Sequence, residues 1–294
     1  MHGWIILDKP LGLGSTQGVS AVKRALREGG YGKFKVGHGG TLDPLATGVL
    51  PIAVGEATKL AGRMLDSDKV YDFTVAFGVE TDTLDLEGKP VAESDVRPTR
   101  AQVESILPRF TGPIEQVPPA YSAIKVDGER AYDLARAGEE VVIPSRAVTI
   151  HSLVLVESGP NSAALTAHVS KGTYIRSLAR DIARALGTVG HVTMLRRTRA
   201  GPFTLDSAIS LDKLADAAKA RTLEDNLLPL RAGLDDIPAL SLTPDQAGLL
   251  RQGRVLIGTA AKNGQHFALL GETPIALVEA DAGEIRVVRG FNLE

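Results

Sequence analysis

A glycine-rich stretch at positions 37–48, GHGGTLDPLATG, constrains this chain more than any other feature. Its glycines allow backbone conformations that other residues avoid and let a ligand approach closely. Pro44 has a fixed φ and disfavours the α conformation at Asp43. The carboxylate of Asp43 is therefore predicted to be held in an extended or turn segment, where it can act as a nucleophile or a base. An isolated Asp-Pro would predict only a turn, but twelve residues of this composition favour a site.

Length and composition limit the class of protein to which this chain can belong. A chain of 294 residues predicts one large domain plus a small one, or two domains, and 44% hydrophobic residues can form a sizeable core. The chain has no apolar run of the length that a membrane helix needs, and it reaches Asp8 too early for a signal peptide. The absence of cysteine excludes disulfides and thiolate metal sites. We therefore expect a cytoplasmic protein.

The net charge of −2 argues against a chain that is basic throughout, but the charges are unevenly distributed. Lys and Arg are concentrated in residues 1–40 and again in residues 168–200, whereas residues 66–104 are acidic. The two basic blocks could converge on one face and attract phosphates, or they could be two solvated helix surfaces.

Periodicity predicts a mixture of strands and helices. Residues 70–77 alternate, with Tyr71, Phe73 and Val75 on one side, as in a strand that is buried on one face. Further strands are predicted at 4–7, 50–54, 121–125, 148–157, 163–170, 189–197, 267–270, 275–279 and 284–288. Helices are predicted at about 15–28, 56–65, 99–107, 131–136 and 244–251, after Arg176, and from Leu211. Ser15 or Thr16 is the expected cap of the first helix. Without strict βαβ alternation, the order predicts an α+β fold with a mixed, largely antiparallel sheet and flanking helices.

Common cofactor and metal motifs are missing. A phosphate-binding loop that ends at Gly32-Lys33 fails because Arg27 stands where its first glycine should be. Dinucleotide fingerprints that start at Gly37 or Gly12 lack their third glycine, and the six histidines show no paired ligand spacing. We expect no metal and no organic cofactor.

Residues 37–60, GHGGTLDPLATGVLPIAVGEATKL, resemble the catalytic motif of the tRNA pseudouridine synthase B family. Other family-like stretches follow in the expected order: LDKP at 7–10, DSDKVY at 66–71, TDT at 81–83, PPAYSAIK at 118–125 and SKGTYIR at 170–176. The similarity covers roughly residues 1–235. One departure is Gly14, where the family usually has threonine.

The resemblance implies the pseudouridine synthase fold for a catalytic domain at 1–235, with a small β-rich domain of the PUA type that binds RNA at 236–294. It implies an RNA-modifying isomerase that converts uridine 55 in the T-loop of tRNA to pseudouridine after flipping the base out of its stack. The expected partner is tRNA, recognised more by shape than by sequence, with no membrane and no obligate protein partner; a monomer is expected.

The resemblance also assigns roles to individual residues. Asp43 matches the nucleophile, and the arginine that contacts it matches Arg176; Tyr71 matches a tyrosine that stacks on the uracil and is placed to take part in proton removal. The residues that match substrate-binding positions are His38, Lys9, Tyr174 and Leu195. The sequence pattern alone would favour structural roles for several of them: Tyr71 would be an aromatic residue of the core, and Arg176 would be a surface residue of a helix. Asp82 is expected to bond amides of its own turn.

Two alternatives remain open at this stage. A non-catalytic RNA-binding protein would keep the basic faces and would not need Asp43. An enzyme with an aspartyl-phosphate nucleophile would need a second acid and a metal site beside Asp43, and residues 42–48 offer neither. Whether Asp43 would attack the ribose carbon or the uracil ring does not follow from the sequence.

Overall fold

The computed structural model describes residues 1–122, 124–126, 129–137 and 142–293. Its helices are α1 (Ser15–Glu28), α2 (Ala61–Asp66), α3 (Arg100–Ile106), α4 (Ala131–Arg136), α5 (Ile175–Ala185), α6 (Leu211–Ala220) and α7 (Pro244–Arg251). None of the helices in these ranges has the length and apolar character that crossing a membrane requires.

The strands form two main sheets and two short ladders. In chain order they are β1 (Gly3–Lys9), β2 (Val36–His38), β3 (Ala46–Val54), β4 (Lys69–Phe77), β5 (Val79–Thr81), β6 (Pro90–Glu93), β7 (Gly112–Gln116), β8 (Lys125–Val126), β9 (Glu129–Arg130), β10 (Arg146–Ser158), β11 (Ser162–Val169), β12 (Gly190–Ala200), β13 (Phe203–Thr204), β14 (Leu228–Pro229), β15 (Ala239–Ser241), β16 (Leu256–Ile257), β17 (Gly264–Leu270), β18 (Thr273–Asp281) and β19 (Glu284–Gly290).

The large sheet has the order β14-β1-β3-β12-β4-β11-β10-β7, with β2 beside β3 and β13 beside β12. Its pairs are antiparallel except for β3 and β12, which run parallel through Leu195–Ala46, Arg196–Thr47 and Arg197–Gly48. A mixed, largely antiparallel sheet with helices against it confirms the α+β prediction. The parallel pair brings Ala46, near the end of the glycine-rich stretch, next to Leu195.

The core is divided by the large sheet. Ile5 and Leu7 of β1 pack with α1 and α6, whereas Trp4 and Ile6 face the opposite cluster. A second part of the core packs Phe73 of β4 with α3, α5 and the β10–β11 hairpin. Because β1 is buried on both faces, its sequence is a continuous apolar run rather than an alternating one.

The smaller sheet has the order β15-β17-β18-β19-β16 and packs with α7 around its own apolar cluster. Phe267, Leu277 and Phe291 extend from it into the cluster that holds Trp4. One guanidinium nitrogen of Arg63 donates to both carboxylate oxygens of Asp236, at 3.0 and 3.1 Å, and adds a polar link between the two parts of the chain.

Several local predictions need correction. The cap of α1 is Gly14, not Ser15 or Thr16, because the Ser15 hydroxyl bonds Leu42 instead. The helix predicted at 56–65 begins as a 3-10 helix, Gly55–Leu60, which continues into α2. The strand predicted at 121–125 is limited to β8, since 121 and 122 form a bend, and Ala123 lies outside the described residues. The turn predicted at 127–128 also lies outside them. The start of the helix predicted at 99–107 is confirmed, and Thr99 forms a capping box there with Gln102.

Candidate active site

The loop that carries Asp43 is folded by its glycines. Gly40 has a φ of 131° and Gly48 a φ of 101°, both in the region that side chains rarely adopt. At Gly48 a Cβ atom would also lie 2.1 Å from the carbonyl oxygen of Arg197, so the close parallel pairing of β3 and β12 requires a glycine there. The backbone amide of Ala46 donates to the carbonyl oxygen of Asp43 at 3.0 Å and closes the turn.

The same loop is held by side chains from elsewhere. The Ser15 hydroxyl accepts from the amide of Leu42 at 2.8 Å and donates to its carbonyl oxygen at 3.0 Å. Arg197, at 1% exposure, donates to the carbonyl oxygens of Gly40, Thr41 and Val49 at 3.1, 3.2 and 2.8 Å. A buried guanidinium that satisfies three carbonyls fixes the loop conformation that precedes Asp43.

Lys9 is fully buried beneath this loop. Its ammonium donates to the carbonyl oxygens of Pro10, Leu13 and Pro44. Burial lowers the pKa of Lys9 to about 8; nearby Asp43 raises it and nearby Arg197 lowers it further. Lys9 is predicted to bind substrate, and in the structure its donors are directed at the backbone of the loop. Its contacts support a role in positioning Asp43.

Arg176 contacts Asp43 directly. One guanidinium nitrogen lies 3.0 Å from a carboxylate oxygen of Asp43, and Arg176 is enclosed while Asp43 remains partly exposed. Two further hydrogen bonds, to the carbonyl oxygens of Thr83 at 2.9 Å and Tyr121 at 3.0 Å, fix the plane of the guanidinium. The helix α5, which begins at Ile175, thus brings a fixed cation to the acid.

Asp85 is a second acid at this arginine, and the sequence analysis missed it. It is buried and lies 3.8 Å from the guanidinium of Arg176. The hydroxyl of Thr83 and the amide of Glu87 donate to the Asp85 carboxylate, and Leu84 before it has a φ of 64°. In the sequence Asp85 is one of many acids in the acidic region 66–104, and its position between Leu84 and Leu86 was the available signal. Asp82 bonds the amide of Lys89 within its turn, as predicted.

A cavity of about 330 Å³ opens beside Asp43. Of the predicted site residues, Asp43, Tyr71, Tyr174, Arg176 and Leu195 line it. They come from four places in the chain: the glycine-rich loop, β4, the start of α5 and β12. These five residues therefore offer the cavity one carboxylate, one guanidinium, two aromatic rings and an apolar wall. Lys69, Arg146 and Arg197 also line the cavity, and its volume suits a small planar ligand.

Tyr174 is held by two residues that the sequence analysis did not identify. Gln116 donates to its carbonyl oxygen at 3.1 Å and accepts from its amide at 2.8 Å. The guanidinium carbon of Arg146 lies 4.9 Å from the centre of the Tyr174 ring, and Arg146 also donates to the carbonyl oxygen of Gly172. The ring at the cavity wall thus has a defined position and a cation against it.

Lys69 also lines the cavity but is tied to the backbone. Its ammonium donates to the carbonyl oxygens of Met64, Leu65 and Ser67 at the end of α2. Burial lowers the pKa of Lys69 to about 8, and the charge of Arg197 lowers it further. It fixes the chain just before Tyr71.

His38 is not among the residues that line the cavity. It lies half-buried on β2, where burial, and then the charge of Arg197, lowers its pKa. Its Nδ1 is enclosed and has no hydrogen-bond partner among the described residues. His38, which is predicted to bind substrate, therefore does not form part of the cavity wall.

The second basic block is not one phosphate-binding face. Arg197 is buried, and Arg196 forms a bidentate pair with Asp8 at 2.9 and 3.0 Å. Arg199 is exposed. These three neighbouring arginines therefore have different environments: Arg197 is buried and bonds the loop, Arg196 is paired with Asp8, and Arg199 is exposed to solvent.

Comparisons with known proteins agree with this geometry. Residues 25–175 match the TruB family pseudouridylate synthase N-terminal domain, and residues 176–235 match the tRNA pseudouridylate synthase B C-terminal domain. The chain is 68% identical to tRNA pseudouridine synthase B of Novosphingobium aromaticivorans, over 100% of this chain and 98% of that protein. It is 61% identical to the protein of that name from Zymomonas mobilis, over 99% of this chain and 96% of the other.

Solved structures share the fold. A Cbf5-Nop10-Gar1 complex matches with a TM-score of 0.75 and 25% identity, over 99% of this chain and 84% of the other. An H/ACA RNP bound to a substrate RNA that contains 2′-deoxyuridine matches with a TM-score of 0.75 at 23% identity, over 99% and 85%. The sequence matches cover most of the chain at high identity, and the residues that line the Asp43 cavity lie within the matched ranges. The chain therefore belongs to the TruB family of pseudouridylate synthases, also called the tRNA pseudouridine synthase B family.

Proposed function

We propose that this pseudouridylate synthase converts uridine 55 in the T-loop of tRNA to pseudouridine, with Asp43 as the nucleophile. The observation that carries the proposal is the position of Asp43: among the described residues that line the cavity, it is the one carboxylate, and Arg176 is 3.0 Å away. The relatives named tRNA pseudouridine synthase B support the choice of substrate.

The reaction is an isomerisation. Asp43 attacks either the ribose carbon C1′ or the uracil carbon C6, and the bond between C1′ and N1 breaks. The uracil rotates within the cavity, C5 bonds to C1′, and the bond to Asp43 breaks and restores the carboxylate. The hydrogen on C5 leaves as a proton while N1 regains one. No electrons enter or leave overall, so this chemistry requires no redox partner. Arg176 compensates the negative charge of the Asp43 carboxylate before its bond to the substrate forms and after that bond breaks.

Tyr71 and Tyr174 are proposed to hold the flipped base. Both rings line the cavity with Leu195, so that a planar pyrimidine can stack on an aromatic face beside an apolar wall. Extrusion of the base from a folded loop costs roughly a few kcal/mol, which stacking in the cavity offsets. Tyr71 is also proposed to take part in removal of the C5 proton. His38 and Lys9 are proposed to contribute to substrate binding, although neither is among the residues that line the cavity.

We propose that residues 1–235 form the catalytic domain and that residues 236–294 form a small PUA-like domain that contacts RNA. The separate sheet of β15 to β19 and its own apolar cluster support this division. We propose further that the enzyme works in the cytoplasm as a monomer without an obligate protein partner, because one chain supplies every lining residue of the cavity that the structure describes.

Release of the C5 hydrogen gives the experiment. A tRNA transcript made with uridine that carries tritium at C5 loses tritium only where pseudouridine forms. We expect release to match one uridine per tRNA, and a transcript with cytidine at position 55 should release none. Release from the cytidine 55 transcript would contradict the assigned position, and no release from either transcript would contradict the assigned substrate.

A further inference from the structure

Two histidines and one acid meet on the β10–β11 hairpin, outside the residues that line the Asp43 cavity. Asp68 precedes β4, His151 lies in β10 and His168 lies in β11. The ladder explains how they meet: Ile150 pairs with Val169, but the next pair is Ser152 with His168, so a bulge leaves His151 as the extra residue. A bulge redirects a side chain, and here it brings His151 beside His168.

The distances fit a metal site. The Nε2 atoms of His151 and His168 lie 3.1 and 3.7 Å from one oxygen of Asp68, and the three ligand atoms lie within 4.8 Å of one another. Zn–N and Zn–O bonds of about 2.0–2.1 Å in a tetrahedral site place neighbouring donors about 3.4 Å apart. The observed separations require only small side-chain shifts to surround one ion.

His168 supplies a second, independent observation. Its Nε2 is enclosed and has no hydrogen-bond partner among the described residues, since 3.7 Å to Asp68 is too long for one. An enclosed ring nitrogen without a partner is costly unless a ligand satisfies it.

The charges around the site are mixed. Arg199 lies close enough to disfavour a cation, whereas Asp66, two residues before Asp68, forms an ion pair with Lys171 at 2.9 Å. A simple hydrogen bond between protonated His151 and Asp68 would account for the 3.1 Å contact alone. It would not account for the enclosed nitrogen of His168 directed at the same carboxylate.

We propose that Asp68, His151 and His168 bind one Zn²⁺ ion, with water in the fourth position. Two imidazoles and one carboxylate are ligands that zinc accepts in tetrahedral sites. The ion would link the chain entering β4 to both strands of the hairpin. Because Tyr71 follows Asp68 by three residues on that segment, the ion would stiffen the strand that carries the stacking ring, without being a catalytic metal.

Zinc binding by the whole protein, purified without a histidine tag, tests the proposal. Isothermal titration with ZnCl₂ and elemental analysis after dialysis should both give one ion per chain. Co²⁺ in the same site should give the intense visible absorption of a tetrahedral complex. The substitutions His151→Gln and Asp68→Asn should each weaken Zn²⁺ binding about tenfold or more, since each removes one ligand of three.

Asp66→Asn is the matched control, because it removes a nearby exposed acid from the same segment. It should bind one Zn²⁺ with the affinity of the wild type, and each variant should convert tRNA at close to the wild-type rate. The proposal is overturned if the wild type retains no zinc above the dialysis blank. It is equally overturned if His151→Gln and Asp68→Asn bind zinc as well as Asp66→Asn does.

Discussion

Arg176 contacts Asp43 at 3.0 Å while its own guanidinium is enclosed and bonded to two backbone carbonyls. The cation is thus fixed by the protein, and the acid is the partner that faces the cavity. Such an arrangement holds the carboxylate in one orientation before substrate arrives. The rate of the reaction should therefore depend on the fork of the guanidinium and not only on its charge.

Arg176→Lys tests this dependence. Lysine keeps the positive charge, but its single nitrogen lacks the planar fork with which Nη1 bonds Thr83 while Nη2 contacts Asp43 and bonds Tyr121, so the orientation of the acid is lost. We expect the single-turnover rate of pseudouridine formation to fall about 10²-fold or more, with tRNA affinity little changed. Arg180→Lys is the control, since Arg180 lies on the same helix but bonds Val117 and Asp181. Equal rates in the two variants would contradict the role of Arg176.

Arg197 and Arg199 should differ in stability although they lie two residues apart. Arg197→Met leaves three buried carbonyl oxygens without a donor and should lower the free energy of unfolding by about 3 kcal/mol or more. Arg199→Met changes an exposed side chain and should lower it by about 0.5 kcal/mol or less. Urea denaturation of both variants measures the difference. Similar losses would show that Arg197 is not the internal anchor of the loop.

Ser15 should support catalysis through the loop. Ser15→Ala removes both hydrogen bonds to Leu42 and should cost about 2 kcal/mol of stability, with a lower kcat because the segment leading to Asp43 is released. Ser20→Ala, which removes one exposed bond to Thr16 within the same helix, serves as the control. The measurements are urea denaturation and kcat at saturating tRNA. A Ser15 variant with wild-type kcat would argue against this coupling.

Lys9 should make stability depend on pH. Its pKa is about 8 in the folded chain against an ordinary value of 10.5, so between these pH values the unfolded chain binds more protons. The free energy of unfolding must then rise with pH across this window. Lys9→Met should remove that part of the slope, as measured by denaturation at a series of pH values from about 7.5 to 10.5. A constant difference between variant and wild type would contradict the lowered pKa.

Much of the fold could be predicted because the signals are local. The alternation of residues 70–77 and the helices predicted at 99–107 and from Leu211 are each specified within their own segment, and the structure confirms them, with Thr99 and Ser210 as the helix caps. Asp43 stood out for the same reason, as one acid within a run of glycine and small residues.

The missed features depend on contacts between distant residues. Arg197 belongs to a charged triplet that indicates solvent, and only the pairing of β12 with β3 buries it. Asp85 meets Arg176 across 91 positions of the chain, and His151 meets His168 through a bulge that disrupts the strand period. Ser15 was expected as a cap because nothing local indicates that its hydroxyl bonds Leu42. Such contacts between distant residues cannot be predicted from composition or from local spacing.

The central claim is that Asp43 forms the covalent bond to the substrate. Its most direct test is the single-turnover rate of tritium release for Asp43→Asn, with tRNA binding measured in parallel. Asp82→Asn is the control, because that acid bonds an amide of its own turn. We predict that Asp43→Asn binds tRNA but releases no tritium above background, whereas Asp82→Asn keeps most of its activity. Substantial turnover by Asp43→Asn would contradict the account.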